Sequence, residues 1–296
     1  MPMKTRVAWM LPFLAVFGRW IRLIRVMQQP QPGLSSSSKL SPIMARTRTV
    51  RGLPVHPVYL RQNNINQVSS TEKSSNGYTS STSPYCLAVS SITDLPSSSN
   101  FLATQVWPSA RVAARALEMH GPSLVAGSSK DTFTVCELGC GPGLPSLTAA
   151  STLQCQVIST DIDTLALELV AAAATEQNLG DFVTTRTYDL ILAEWEKEWM
   201  NSVDLFVMSD VFESKAIAQG AAQLTQHIMD VGSSSTSKIW VFAQSDRAQR
   251  EVYLRELQRL FPNDIRIPND WTSFECFRSQ ERLWLCDLDE TKVNYG

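Results

Sequence analysis

The sequence predicts an α/β fold: a Rossmann-like, seven-stranded, mostly parallel sheet with an antiparallel last strand and helices on both faces. Three observations carry that prediction. Short apolar runs alternate with helical segments from Thr132 to Leu288. The first of these runs leads into a glycine-rich turn, Gly139-Cys140-Gly141-Pro142-Gly143, and the second ends in a carboxylate, Asp161. In an open α/β sheet this arrangement binds an adenosine-containing ligand at the carboxyl edge of the strands.

Taken in order, residues 1–70 read as an organelle-targeting presequence. They contain no Asp or Glu, the first acid being Glu72, and ten of the 26 Lys and Arg residues fall before it. Arg19, Arg22 and Arg25 share one helical face opposite Phe17, Trp20, Ile21, Ile24 and Met27. That pattern favours a mitochondrion, with a plastid or the secretory route as the alternative. The apolar run from Val7 to Phe17 is too short for a membrane span. Residues 71–100 read as a Ser-rich disordered connector, with a short strand at Tyr85–Val89. Ordered structure is expected from Phe101, making residues 101–296 the folded domain.

Within that domain, Val112, Ala113 and Leu117 are spaced for one face of a helix over Ala110–Glu118. Strands are expected at Thr132–Leu138, Gln156–Thr160, Phe182–Thr187, Leu205–Ser209, Ile239–Gln244 and Arg282–Leu288, with a weaker one at Phe274–Phe277. Helices are expected at Leu144–Thr152, Thr164–Gln177, Ile217–Asp230 and Ala248–Leu260, with Gly180, Gly232 and Pro262 as stops. Trp195 and Trp199, four apart, read as a packing stripe; Gln244-Ser245-Asp246-Arg247 follows a strand on the substrate side, where it would shape acceptor choice, its charges favouring a solvated loop instead.

Composition narrows the chemistry. All 28 acids lie after residue 71 against 16 bases, an acidic body that argues against a nucleic-acid binder and suits a basic protein partner. The six cysteines form no C-x-x-C pair, and His56, His120 and His227 stand at no ligand spacing, so no metal site is expected. A Ser-His-Asp hydrolase would carry a G-x-S-x-G turn, which is missing from the sequence.

The turn itself says more. Gly139, Gly141 and Gly143 let the chain bend tightly and bring its backbone close to a ligand. Glu137, at the strand end, suits a ligand with a cationic amino-acid head and would repel a pyrophosphate. Asp161, 24 positions later, suits a ribose diol, with Asp163 ranked second.

These residues resemble a known family. Glu137-Leu138-Gly139-Cys140-Gly141-Pro142-Gly143-Leu144 resembles the nucleotide-binding motif of class I, seven-strand S-adenosylmethionine methyltransferases. Val106-Trp107-Pro108-Ser109 resembles the W-P-x-x motif of the family 16 protein-lysine methyltransferases. Val203 to Phe212 is similar to that family's fourth strand, which ends in D-x-x-Y. Asp161-Ile162-Asp163 and Asp210-Val211-Phe212 are most similar to the branch that methylates the electron-transfer flavoprotein β subunit.

The resemblance covers residues 101–296 and implies S-adenosylmethionine as cofactor, held by Trp107, Glu137, Gly139, Gly141, Gly143, Asp161 and Asp189. The last of these is matched to an acid that meets the adenine amino group. It further implies an acceptor lysine on a protein, met by Asp210, Phe212 and Glu213, in a monomer. Where the family has Tyr this chain has Glu213, which suits an ammonium and equally suits the first turn of a helix. Methyl transfer is an in-line displacement that rests on alignment and water exclusion, so no poised histidine is required. Two alternatives stand beside lysine: a small amine or other protein group as acceptor, and a non-catalytic cofactor-binding assembly factor.

Overall fold

The structure is a computed structural model and describes residues 48–60, 83–230, 237–273 and 282–288. Residues 1–47 and 61–70 of the presequence, residues 71–82 of the Ser-rich connector, Cys276 and the strand expected at Phe274–Phe277 lie outside these residues.

Ordered structure begins upstream of Phe101, which corrects the expected domain boundary. Strands β1 (Thr49–Val50), β2 (Leu53–Tyr59) and β3 (Tyr85–Val89) form an antiparallel sheet in the order β1-β2-β3. Pro54 and Pro57 hid β2 from a sequence reading, because proline donates nothing to a strand ladder. It is tolerated here because β1 is only two residues long, leaving β2 as an edge strand on that side at Pro57.

From β3 the chain crosses two short 3-10 turns, Ile92–Asp94 and Phe101–Thr104, and enters α1 (Pro108–Ala126) with Pro108 at its first position. Then follow β4 (Thr134–Leu138), α2 (Leu144–Leu153), β5 (Gln156–Asp161), α3 (Thr164–Glu176) and β6 (Val183–Thr187). The second half has α4 (Lys197–Met200), β7 (Leu205–Ser209), α5 (Lys215–Asp230), β8 (Lys238–Gln244), α6 (Ala248–Leu260), β9 (Thr272–Ser273) and β10 (Leu283–Leu288). Helix α1 runs past its expected end, and within the extension Gly121 lets Leu153 of α2 approach: a Cβ on Gly121 would lie 2.7 Å from it.

The β1–β3 sheet is fastened to α3. All five β3 residues are buried, and the Tyr85 hydroxyl donates to Glu176 Oε2 at 2.9 Å. Gln177 brackets the Tyr85 backbone, accepting from its N–H at 3.2 Å and donating to its carbonyl at 2.8 Å. Arg51 Nε donates to Glu168 Oε2 at 2.6 Å.

The main sheet has seven strands in the order β6-β5-β4-β7-β8-β10-β9. Every described pairing in it is parallel. The last strand therefore runs parallel, not antiparallel as expected. Leu283 to Leu288 climbs in step with Ile239 to Gln244, and the chain between β8 and β10 contains α6, long enough for a crossover. Helices α1, α2 and α3 with β3 pack one apolar core, and α4, α5 and α6 pack another on the opposite face. Crossovers leave β4 in one direction and β7 in the other, so the switch point of the topology lies between these two strands.

Candidate active site

At this switch point, outside the carboxyl ends of β4, β5, β6 and β7, lies a cleft enclosing about 880 Å³ of empty space including its open mouth. Its floor is the β4–α2 turn, its far wall the segment from Asn100 to Ala110, and its flanks the residues just after β5, β6 and β7. The acidic residues Asp161, Asp189, Asp210 and Glu213 line it, the Asp210 side chain being fully buried, and among the described residues no Lys, Arg or His does.

The turn is held open by geometry that favours glycine. Gly139, Gly141 and Gly143 have φ of +69°, +49° and +74°. Gly139 and Gly141 line the cleft, where a Cβ on Gly141 would fall 3.2 Å from the Ala103 carbonyl oxygen. Gly143 does not line it. A Cβ there would stand 2.5 Å from Val170 Cγ2, so this glycine lets α2 and α3 pack closely. Cys140 lines the cleft but is buried, and that burial keeps its thiol protonated, a packing group as expected.

Asp161 ends β5 and lines the cleft. Its Oδ2 accepts from Gly141 N–H at 2.9 Å and its Oδ1 from Asp163 N–H at 2.9 Å, fixing the carboxylate against the turn. Burial raises its pKa. Asp163, the second candidate, is a helix cap: Oδ1 accepts from Leu165 N–H at 2.8 Å and Oδ2 from Asn100 N–H at 2.9 Å. Asp189 lines the cleft and accepts from Ile191 N–H at 2.8 Å, shaping the loop after β6.

Glu137 is placed differently from the expectation. It is fully buried, does not line the cleft, and its Oε2 accepts from Ser146 N–H at 2.9 Å and Ser146 Oγ at 2.6 Å. It thus ties the end of β4 to the first turn of α2. Burial pushes its pKa up to about 8, opposed by the Ser146 bonds and reinforced by the Asp161 charge. A carboxyl in that state is mostly neutral at pH 7 and supplies little counter-charge to a ligand.

Of the three residues named after β7, two line the cleft and one does not. Asp210 and Glu213 line the cleft, whereas Phe212 turns the other way. Asp210 adopts a left-handed conformation, φ +59°, which redirects the chain as it leaves the strand. Val211 and Glu213 then face the cleft, and Phe212 packs in the core, its ring 5.0 Å from that of Tyr253 and 6.1 Å from that of Trp271. Glu213 sits in a recess that raises its pKa, the Asp161 charge adding to the effect and Arg247 opposing it.

Trp107 lines the cleft, its Nε1–H donating to the Leu102 carbonyl at 2.8 Å. Trp195 and Trp199 pack as the stripe expected, Trp195 6.3 Å from the ring of Phe206 and Trp199 6.0 Å from that of Tyr188.

Two contributors were missed by sequence reasoning. Arg247, read as part of a loop that shapes acceptor choice or is simply solvated, forms a part-buried bidentate pair with Asp210, and no local pattern announces that pairing. Gly220, inside α5, touches the loop after β6: a Cβ there would stand 1.9 Å from the Leu190 carbonyl oxygen. A glycine in a helix interior was the available signal for such a close approach. Among the described residues no group of His, Cys, Asp and Glu could hold a metal ion, and no helix is long and apolar enough to cross a membrane.

The model of one protein family, described as lysine methyltransferase, matches residues 92–260. This match takes in β4 to β8 and every residue placed around the cleft above. The chain belongs to the lysine methyltransferase family. The cofactor that goes with this family is S-adenosylmethionine.

Several solved methyltransferases are similar in structure. The delta-N METTL16 MTase domain is 12% identical over 44% of this chain and 60% of that one, with a TM-score of 0.33. The human methyltransferase 10 domain containing protein is 11% identical over 42% and 60%, with a TM-score of 0.32. An RNA methyltransferase from Salinibacter ruber, in complex with S-adenosyl-L-homocysteine, is 19% identical over 40% and 66%, with a TM-score of 0.31. This chain spans about three fifths of the first two. No curated protein sequence matches it.

The cleft of this lysine methyltransferase family member fits the donor on its own chemistry. S-adenosylmethionine carries a sulfonium and an ammonium, and the lining offers the carboxylates of Asp161, Asp189 and Glu213 and, among the described residues, no cationic side chain. The Gly141 turn leaves room at the floor that a Cβ would fill.

Proposed function

We propose that this chain methylates the side-chain amine of a lysine on an organellar protein. The observation that carries this reading is the acidic lining, with Glu213 at the position where the family has Tyr. An acidic cleft suits two cationic ligands in succession, a sulfonium donor and an ammonium acceptor. It suits a phosphorylated or nucleic-acid acceptor poorly.

S-adenosylmethionine, when bound, supplies an electrophilic methyl group. Asp161 would hold the ribose hydroxyls, Asp189 the adenine edge, and the Gly139–Gly141 backbone the amino-acid end, leaving the acceptor to enter beside Glu213. Glu213 would bind the acceptor Nζ through its protons and, with its pKa already raised by its recess, take the one that must leave before the amine can attack. Val106, Trp107 and Ile217 add hydrophobic side chains that exclude water from the reacting pair.

The reading includes a mitochondrial destination for residues 1–47. The presequence would end before Thr49, because β1 and β2 are part of the fold. Fused to a reporter, residues 1–47 should carry it into mitochondria, and a secreted reporter contradicts this destination.

The acceptor is tested by incubating the full chain with tritiated S-adenosylmethionine and mitochondrial extract, then hydrolysing the labelled proteins. Tritium in methyl-lysine is the expected result. Label confined to small molecules points to a small amine, and donor binding without turnover to an assembly factor. Either result overturns the reading.

A further inference from the structure

Arg247 is in an unusual place for its charge. It is the N-cap residue of α6, where the helix dipole disfavours a cation, and its side chain makes no cap hydrogen bond. The helix therefore does not explain an arginine there.

Its contacts do. Nε donates to Asp210 Oδ1 at 2.7 Å and Nη2 to Asp210 Oδ2 at 2.8 Å, a planar two-bond pair with the Asp210 side chain fully buried. The same guanidinium lies over the Trp107 indole, Cζ 5.0 Å from the ring centroid. Burial works against its charge, but the Asp210 bonds together with the Asp210, Asp246 and Glu213 charges more than offset it, so the guanidinium stays ionised. One side chain thus joins three separate chain segments: the entry to α1, the turn after β7 and the β8–α6 loop. Trp107 and Asp210 line the cleft, and Arg247 itself does not.

We propose that Arg247 is a positioning residue for methyl transfer: its guanidinium locks the left-handed Asp210 turn and the Trp107 indole into one wall, leaving Glu213 to meet the acceptor amine. The role of Glu213 rests on the lysine reading above; the clamp on Asp210 and Trp107 does not. Because both Asp210 oxygens are engaged by Arg247, Asp210 acts here as a structural member of the wall.

The test uses the full chain with Arg247→Lys, Arg247→Met and the double variant Arg247→Met/Asp210→Asn. Three quantities are read: acrylamide quenching of Trp107, obtained by difference from the same variants carrying Trp107→Phe; the S-adenosylmethionine dissociation constant by calorimetry; and tritium transfer to extract protein. Lysine keeps the charge but loses the planar pair, so Arg247→Lys should fold, raise Trp107 quenching about twofold and lower transfer about tenfold. Donor affinity should stay within about threefold, because Asp161 and Asp189 are untouched. The double variant removes the stranded carboxylate, so it should regain stability lost in Arg247→Met without regaining transfer.

Wild-type quenching and transfer in Arg247→Lys would overturn the proposal. So would wild-type transfer in the double variant, which would make the pair merely structural. If the wild-type chain labels no extract protein, the lysine reading falls by itself, and unchanged quenching is then the result that removes the clamp.

Discussion

At the glycine-loop end of the cleft, the decisive contact joins Asp161 to Gly141 across 20 positions, and its donor is a backbone N–H. At the β7–β8 end, the decisive contact joins Arg247 to Asp210 across 37 positions, and both partners are side chains. The first arrangement depends on a few special φ values within one β-α-β unit. The second depends on how three distant segments happen to pack. One family can therefore keep its donor site while altering its acceptor wall, and Glu213 in place of Tyr lies on the side built from side chains.

The largest expected effect tests whether the two ends are mechanically joined. Helix α5 starts beside Glu213 and touches the Leu190 carbonyl through Gly220. Gly220→Ala must push helix and loop apart, so we expect a loss of ~1–3 kcal/mol in chemical denaturation. A drop of about tenfold in S-adenosylmethionine affinity should accompany it as the Asp189 loop moves. Full affinity in the variant would show the two ends to be independent.

Glu213→Gln comes next and should separate the ends. Protein labelling should fall about tenfold or more while donor affinity changes by less than about twofold. Equal losses in both would put Glu213 on the donor side.

A smaller effect is carried by Glu137. Its folded pKa of about 8 lies above the ordinary carboxyl value of 4.5, so the fold binds a proton that the unfolded chain has released. Stability from this group is complete below the unfolded value and is lost as pH rises through the window from 4.5 to about 8. Melting temperatures of wild type and Glu137→Gln, followed from pH 5 to 9, should diverge in favour of the variant as pH rises. Parallel curves would mean that Glu137 is already ionised in the fold.

The smallest is Phe212→Leu. A core position predicts a loss of about 1 kcal/mol in stability with unchanged kinetics. A changed acceptor KM would return Phe212 to the cleft wall.

How far the sequence was legible follows from the same contrast. The strands β4 to β8, the turn and Asp161 are encoded by local periodicity and by glycines at fixed spacing, and each was readable. Phe212 was not, because its direction depends on the left-handed turn at Asp210, which no residue type announces. Arg247 was invisible because its partners lie far away in sequence. The position of Glu137 was not legible because residue type alone does not show that Ser146 anchors its Oε2 from α2. Strand β2 was lost behind two prolines, and the direction of the last strand depends on a connection that periodicity does not encode.

The central claim is that S-adenosylmethionine occupies this cleft with its ribose on Asp161. Calorimetric titration of the donor into wild type and Asp161→Ala tests it most directly. The account predicts binding weakened by tenfold or more, roughly 1.4 kcal/mol, in a variant that melts with wild-type cooperativity. Wild-type affinity in that folded variant would contradict it.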